Sequence, residues 1–214
     1  MEKLLVNGEI SAVLHYSSDN FIICCHGLYS NKESQKYIDM AEMAGKEGIS
    51  VIRFDFRGCG ESAGDFYDST LSNRIADLQE VIEYARKRFS NAKIALFGSS
   101  LGGMVSIIAS SMDKKITSLS VLSTPYEIKE DLGVGKKFMK DLKKYDVLKA
   151  AEEAAPMLII HGRKDELVPI EHAKMIYAHA PEDKKILFFD ADHSFSTFRK
   201  EAVEASLEWI KNHF

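Results

Sequence analysis

Six short runs of mostly apolar residues recur along the chain, at positions 21–25, 50–54, 93–97, 116–122, 157–160 and 186–189. Each is continuous rather than alternating, the pattern of a strand buried on both faces of a sheet. Such strands need cover on both sides, and the stretches between them supply it. Leu71, Ile75, Leu78, Ile82 and Ala85 step by four and three, which lays them along one stripe of a helix. Phe198, Ala202, Ala205 and Trp209 repeat the stripe near the C-terminus. Strands alternating with helices dictate right-handed crossovers and a mainly parallel sheet of about eight strands flanked by helices, so the fold class is α/β.

Ahead of these runs, residues 4–6 and 10–15 bracket Asn7-Gly8, a pair that tolerates the positive φ angles of a two-residue turn, and an opening β-hairpin is expected. One long, Lys-rich stretch breaks the rhythm at 125–155, where a crossover ordinarily takes one plain helix. It is expected to be a short helical cap inserted into a single domain spanning 1–214. Its apolar residues Tyr126, Leu132, Phe138, Met139, Leu142 and Tyr145 either face a pocket or simply pack the helices.

Composition bounds the function. With 45% hydrophobic and 28% charged residues the chain is ordinary for a globular protein that buries its own core. A net charge of -4, spread over interspersed acids and bases, sets up no field that draws polyanions, which argues against nucleic acid as a partner. The N-terminus lacks an apolar leader and no run is long enough to span a membrane, so a cytoplasmic location is expected. Cys24, Cys25 and Cys59 fit neither a disulfide framework nor a zinc site and read as reduced structural thiols.

The chemistry centres on Gly98-Ser99-Ser100-Leu101-Gly102, placed after one apolar run and before a helical one. Alone, the pentapeptide also fits an unreactive Gly- and Ser-rich turn. Between a strand and a helix it forms a sharp turn in which Gly98 and Gly102 omit the side chains that would clash, and Ser100 projects at the carboxyl edge of the sheet. A serine hydroxyl is a weak nucleophile at neutral pH and needs a histidine base held by a carboxylate, arriving later in the chain as acid and then histidine. His193, in the polar loop between the last strand and last helix, is the best-placed base. Asp165, in a loop bounded by Gly162 and Pro169, is the chosen acid, with Glu166 and Asp192 as rivals. His161, His172, His179 and His213 read as structural or solvated.

Acyl transfer also requires donors for an oxyanion. The backbone N–H of Leu101, at a helix N-terminus, is one. The second falls in the loop after the first parallel strand, where Gly27 permits a tight backbone and the N–H of Leu28 or Tyr29 is available; the alternative is an ordinary turn capped by Ser30 or Asn31.

Taken in order, His26-Gly27, then Asp55-Phe56-Arg57-Gly58-Cys59-Gly60-Glu61-Ser62, then 98–102, 161–169 and Asp192-His193 resemble the α/β-hydrolase superfamily over nearly the full length. Within it the chain is most similar to small carboxylesterases of the feruloyl and cinnamoyl esterase and monoacylglycerol lipase type. The resemblance implies an α/β-hydrolase fold, Ser100, Asp165 and His193 as a catalytic triad, Leu28 and Leu101 as oxyanion donors, and Asp55 and Arg57 as structural residues. It makes 125–155 a cap over an acyl pocket, with Tyr29, Tyr126, Phe138, Met139 and Leu142 as candidate substrate contacts. Leu101 stands where the family often has Gln or Met; since the donor there is a backbone N–H, the departure touches substrate contacts and leaves catalysis intact.

The expected activity is hydrolysis of short- to medium-chain or aryl acyl esters through an acyl-enzyme, with no metal or organic cofactor and a small-molecule ester as the partner. Peptidase or thioesterase chemistry is the nearest rival, a non-catalytic ligand-binding role the more distant one, and the sequence leaves a homodimer open.

Overall fold

The computed structural model describes residues 1–214, which fold around one eight-stranded sheet. The strands are β1 (Glu2–Val6), β2 (Ile10–His15), β3 (Asn20–Cys25), β4 (Ser50–Phe54), β5 (Lys93–Ser99), β6 (Ile116–Leu122), β7 (Met157–Gly162) and β8 (Lys184–Phe189). Their spatial order is β1-β2-β4-β3-β5-β6-β7-β8. β2 pairs antiparallel with β1 and β4, and every pair from β4 through β8 is parallel. No helix is long and apolar enough to cross a membrane.

Continuous apolar strands follow from this layering. Phe21, Ile23 and Cys25 of β3 and Ile94 and Leu96 of β5 point into one core, while Ile22, Cys24, Ala95 and Phe97 point into the other. The larger core is covered by α2 (Leu71–Arg88), α3 (Leu101–Met112), α5 (Val147–Glu152) and α6 (Glu171–His179). The smaller lies beneath α1 (Gln35–Lys46) and α7 (Arg199–Lys211). Leu71, Ile75, Leu78, Ile82 and Ala85 form the buried stripe of α2, and the Thr70 hydroxyl caps it by accepting from the Asn73 N–H. All three cysteines are free and buried.

Three local expectations are corrected. The hairpin turn is one residue longer than two: Asn7 and Gly8 both take positive φ, but Val6 pairs with Ile10 and leaves Glu9 as an extra residue whose N–H closes the turn on the Val6 carbonyl. Phe198 is not part of the last helix's buried stripe; it precedes α7 in the left-handed region and is 43% exposed, and the buried face is Ala202, Val203, Ser206, Leu207 and Ile210. The stretch 125–155 contains two helices with separate jobs. α5 lies in the β6-to-β7 crossover and packs between α3 and α6, whereas α4 (Gly135–Leu142) lies against α2, fixed where the Asp141 carboxylate accepts from the Ser72 N–H (2.7 Å) and hydroxyl (2.8 Å).

The loops at the carboxyl edge are tied down by buried charge. Asp55, directly after β4, accepts from the Lys32 N–H (2.6 Å), the Lys32 ammonium (2.6 Å) and the Glu61 N–H (2.9 Å). Arg57 donates to Asp77, Glu80 and Glu9, joining the same turn to α2 and the hairpin. Lys32 is only 2% exposed, so removing its buried partner strands an ammonium away from water. Asp55→Ala is expected to cost about 3 kcal/mol in urea unfolding; a change below about 0.5 kcal/mol would show that Glu61 alone holds the lysine.

Candidate active site

Ser100 sits between β5 and α3 with φ 55° and ψ -124°, a backbone conformation that a residue with a side chain adopts only when its surroundings compel it. The compulsion is steric. A Cβ at residue 102 would overlap the carbonyl groups of Cys25 and His26 at the end of β3, and one at residue 98 would overlap the Gly102 carbonyl and the Ser106 hydroxyl. The glycines let α3 start flush against the sheet, and the Ser100 N–H donates to the Leu122 carbonyl at 2.8 Å, pinning the turn to the end of β6.

The side chains expected to act together are brought together. His193 Nε2 lies 3.1 Å from Ser100 Oγ, and His193 Nδ1 lies 2.9 Å from Asp165 Oδ2. The two rivals for the acid do not reach the ring. The Asp192 carboxylate accepts instead from the Ser196 N–H (2.9 Å) and hydroxyl (2.5 Å), and Glu166 is exposed. Asp165 Oδ1 accepts from the N–H groups of Leu167 (3.0 Å) and Val168 (2.8 Å). Burial alone would push the Asp165 carboxyl up, but the hydrogen bond from His193 and the one from Val168 outweigh it and hold it below the usual carboxylate range.

Two further histidines shape the surroundings. His26, fully buried after β3, donates from Nδ1 to the Gly27 carbonyl (2.8 Å) and accepts at Nε2 from the Phe56 N–H (3.1 Å), which fixes its tautomer and ties two loops. Burial, reinforced by the Arg74 cation, drives its pKa down to about 4. His161, also buried, donates from Nε2 to the Val168 carbonyl (2.8 Å) and stands 3.4 Å from Asp165 Oδ2; burial lowers its pKa too.

Ser100 and His193 open onto a cleft of about 910 Å3. Its walls include Leu28, Leu101 and Tyr29, as the sequence leads one to expect, but the other four candidate contacts are elsewhere. Phe138 is buried in the larger core, and Met139 and Leu142 pack against it because α4 turns its apolar face to α2 rather than to the cleft. Tyr126 packs on the His172 ring and its N–H donates to His172 Nδ1 at 3.2 Å. The rest of the lining includes Ile128 and Leu132 from the irregular segment before α4, Leu167 and Val168 from the loop after β7, His172 of α6 and Lys36 of α1. Ser34 rather than Ser30 or Asn31 occupies the cap position of α1. Periodicity carries no signal for this irregular segment, since irregular chain has none, and His172 reads as a structural or solvated residue.

The buried histidines give a pH signature. Above the ordinary histidine value of about 6.5 both folded and unfolded chains hold His26 neutral; below it the unfolded chain binds a proton that the folded one refuses until about pH 4. The unfolded state then binds more protons, so stability falls as pH drops through that window. Urea unfolding is expected to lose about 2 kcal/mol between pH 7 and pH 5; a flat profile, or a gain on acidification, would contradict the buried neutral assignment.

Comparison with known proteins agrees with this architecture. A family model described as serine aminopeptidase, S33 (Hydrolase_4) matches residues 16–145. The Est1E structure of Butyrivibrio proteoclasticus with bound ferulic acid superposes with a TM-score of 0.87 at 21% identity, covering 100% of this chain and 99% of that one. The monoacylglycerol lipase of Paleococcus ferrophilus gives 0.79 at 21% identity, covering 96% and 100%. Among curated proteins, the uncharacterized YfhR of Escherichia coli K12 is 26% identical over 182 residues, 80% of this chain and 62% of its own length. The bovine mitochondrial palmitoyl-protein thioesterase ABHD10 is 25% identical over 182 residues, 69% of this chain and 58% of its own length. The chain thus spans less than two thirds of these curated relatives. The family match over more than half of the chain, on this fold, makes the protein a member of the Hydrolase_4 (serine aminopeptidase, S33) family within the α/β-hydrolase superfamily.

Proposed function

We propose that this protein is a serine carboxylesterase that cleaves short- to medium-chain or aryl acyl esters through a Ser100 acyl-enzyme. The observation that carries the reading is the hydrogen-bonded series Ser100 Oγ, His193 and Asp165 at the foot of an open cleft. His193 Nε2 takes the Ser100 proton as Oγ adds to the ester carbonyl, and Asp165 holds the ring in the required tautomer and stabilises the imidazolium. The tetrahedral oxyanion is received by the backbone N–H groups of Leu28 and Leu101. The Leu28 N–H has no acceptor within the protein and that of Leu101, the first residue of α3, has none within its helix. Collapse passes the proton from His193 to the departing alcohol, and a water activated by the same ring hydrolyses the acyl-enzyme.

Leaving-group class is set by the cleft rather than by these three residues. An aminopeptidase must receive a free α-ammonium on a carboxylate. Glu127, the half-buried acid of the lining, is already paired with Lys129 at 2.8 Å, and Glu130 is exposed at the rim. The apolar side chains of Leu28, Ile128, Leu132 and Val168 suit an acyl or aryl group instead.

A fluorophosphonate probe is expected to label the wild-type protein, and labelling should vanish in Ser100→Ala. His193→Ala should lower kcat/KM on p-nitrophenyl esters by at least about a thousandfold. Labelling that persists in Ser100→Ala would refute the nucleophile; faster turnover of aminoacyl amides or acyl thioesters than of matched esters would replace the esterase reading with a peptidase or thioesterase one.

A further inference from the structure

Lys36 is the cleft residue that ester hydrolysis does not explain. It lies in the first turn of α1, half-buried, with Nζ donating to the Ser99 hydroxyl at 3.0 Å. An ammonium has three N–H donors, and this one commits a single donor to a neutral partner. No carboxylate lies within 4.0 Å of it, whereas the other lysine of the lining, Lys129, is neutralised by Glu127. The charged side chains acting on it are Asp192, whose carboxylate keeps its charge while hydrogen-bonded to Ser196 and stays more than 4.0 Å from the ammonium, and Arg199, which is paired with Asp39 at 2.7 Å. Burial pulls the Lys36 pKa down to about 8, which leaves it a cation at neutral pH.

A partly desolvated cation with donors to spare is unfavourable until an anion completes it. Lys36, Ser99 and Ser100 line the same cleft and the ammonium is bonded to the residue next to the proposed nucleophile, which puts a free cation on the wall facing a bound ester. We propose that Lys36 is a carboxylate-recognising specificity residue, and that the preferred substrates are esters bearing a carboxylate a few bonds from the scissile carbonyl. The proposal rests on the esterase reading of Ser100.

The test measures kcat/KM for two matched pairs. p-Nitrophenyl hemiglutarate against p-nitrophenyl valerate places the carboxylate on the acyl side; 4-acetoxybenzoate against 4-methylphenyl acetate places it on the alcohol side. In the wild type at least one anionic ester should be preferred over its neutral partner by about tenfold or more, and the pair that shows it identifies the side. Lys36→Met should abolish the preference, and Lys36→Arg should keep most of it. A purely structural lysine would lower both members of a pair alike, so an unchanged ratio in Lys36→Met overturns the proposal, as does a wild type with no anionic preference. Should Lys36→Met fail to fold, the salt dependence of the wild type decides: the preference must shrink between low and high ionic strength, and a salt-independent ratio overturns it. Turnover of neutral esters without charge selectivity sinks this inference alone, whereas turnover of no ester sinks the esterase reading with it.

Discussion

The backbone of Ser100 is held in a conformation that costs about 1–3 kcal/mol wherever it occurs, and the surrounding structure is arranged so that no relaxed alternative is open to it. Rotating it back toward the helical region would swing α3 away from the sheet. That motion is resisted by the Ser100 N–H bond to β6 and by the close approach of Gly102 to the end of β3. The close approach exists only because β3 and β5 are paired in the register that sets Cys25 beside Gly98. Parallel pairing of β3 with β5, carried to the strand end two residues before Ser100, therefore fixes the direction of one hydroxyl.

The same dependence runs through the buried charges. Lys32 and Asp55 are both removed from water, and pairs of this kind contribute little net stability against apolar replacements of similar size. Their effect is positional. The Asp55 carboxylate joins the segment leading into α1 to the turn after β4, and Arg53 adds a bond from Nη1 to the Lys32 carbonyl. With that segment fixed, α1 can present Lys36 to the cleft and Gly27 can lie against Ser100, where even a methyl group at residue 27 would press on the serine Cβ.

Much of this was legible before any coordinates. A run such as 116–122 announces a doubly covered strand, and the strand has those bounds, covered by α3 on one face and by α7 on the other, where Ser120 hydrogen-bonds Ser206. The sharp turn at 98–102 and the contacts joining Ser100, His193 and Asp165 could be anticipated because chemistry restricts residue type as well as position. What stayed hidden is what carries no period. Phe198 matches a helical spacing by accident and stands just outside the helix in the left-handed region. Phe138, Met139 and Leu142 have the composition of a pocket wall, yet the Ser72–Asp141 contact turns them to α2, and a tertiary hydrogen bond across 69 positions leaves no mark in a local pattern. Irregular chain at 125–132 lines the cleft instead, and Lys36 becomes conspicuous only when the absence of a carboxylate beside it is seen.

The loop after β7 shows how tightly recognition and positioning are joined. Val168 donates its N–H to Asp165 Oδ1, accepts from His161 Nε2 at its carbonyl, and offers its side chain to the cleft. The acid thus has its two oxygens divided: Oδ1 is saturated by the loop's own backbone, so Oδ2 is the one left to face His193. His161, buried and neutral, props the far end of the loop without placing a positive charge beside the carboxylate, which would compete with His193 for it. Val168 thus links the cleft wall to the hydrogen bonds that orient Asp165, and through Asp165 to the His193 ring beside Ser100. Under the proposed esterase mechanism the residue that lines this wall also orients the proposed acid, so side chains that shape the wall act on turnover as well as on binding.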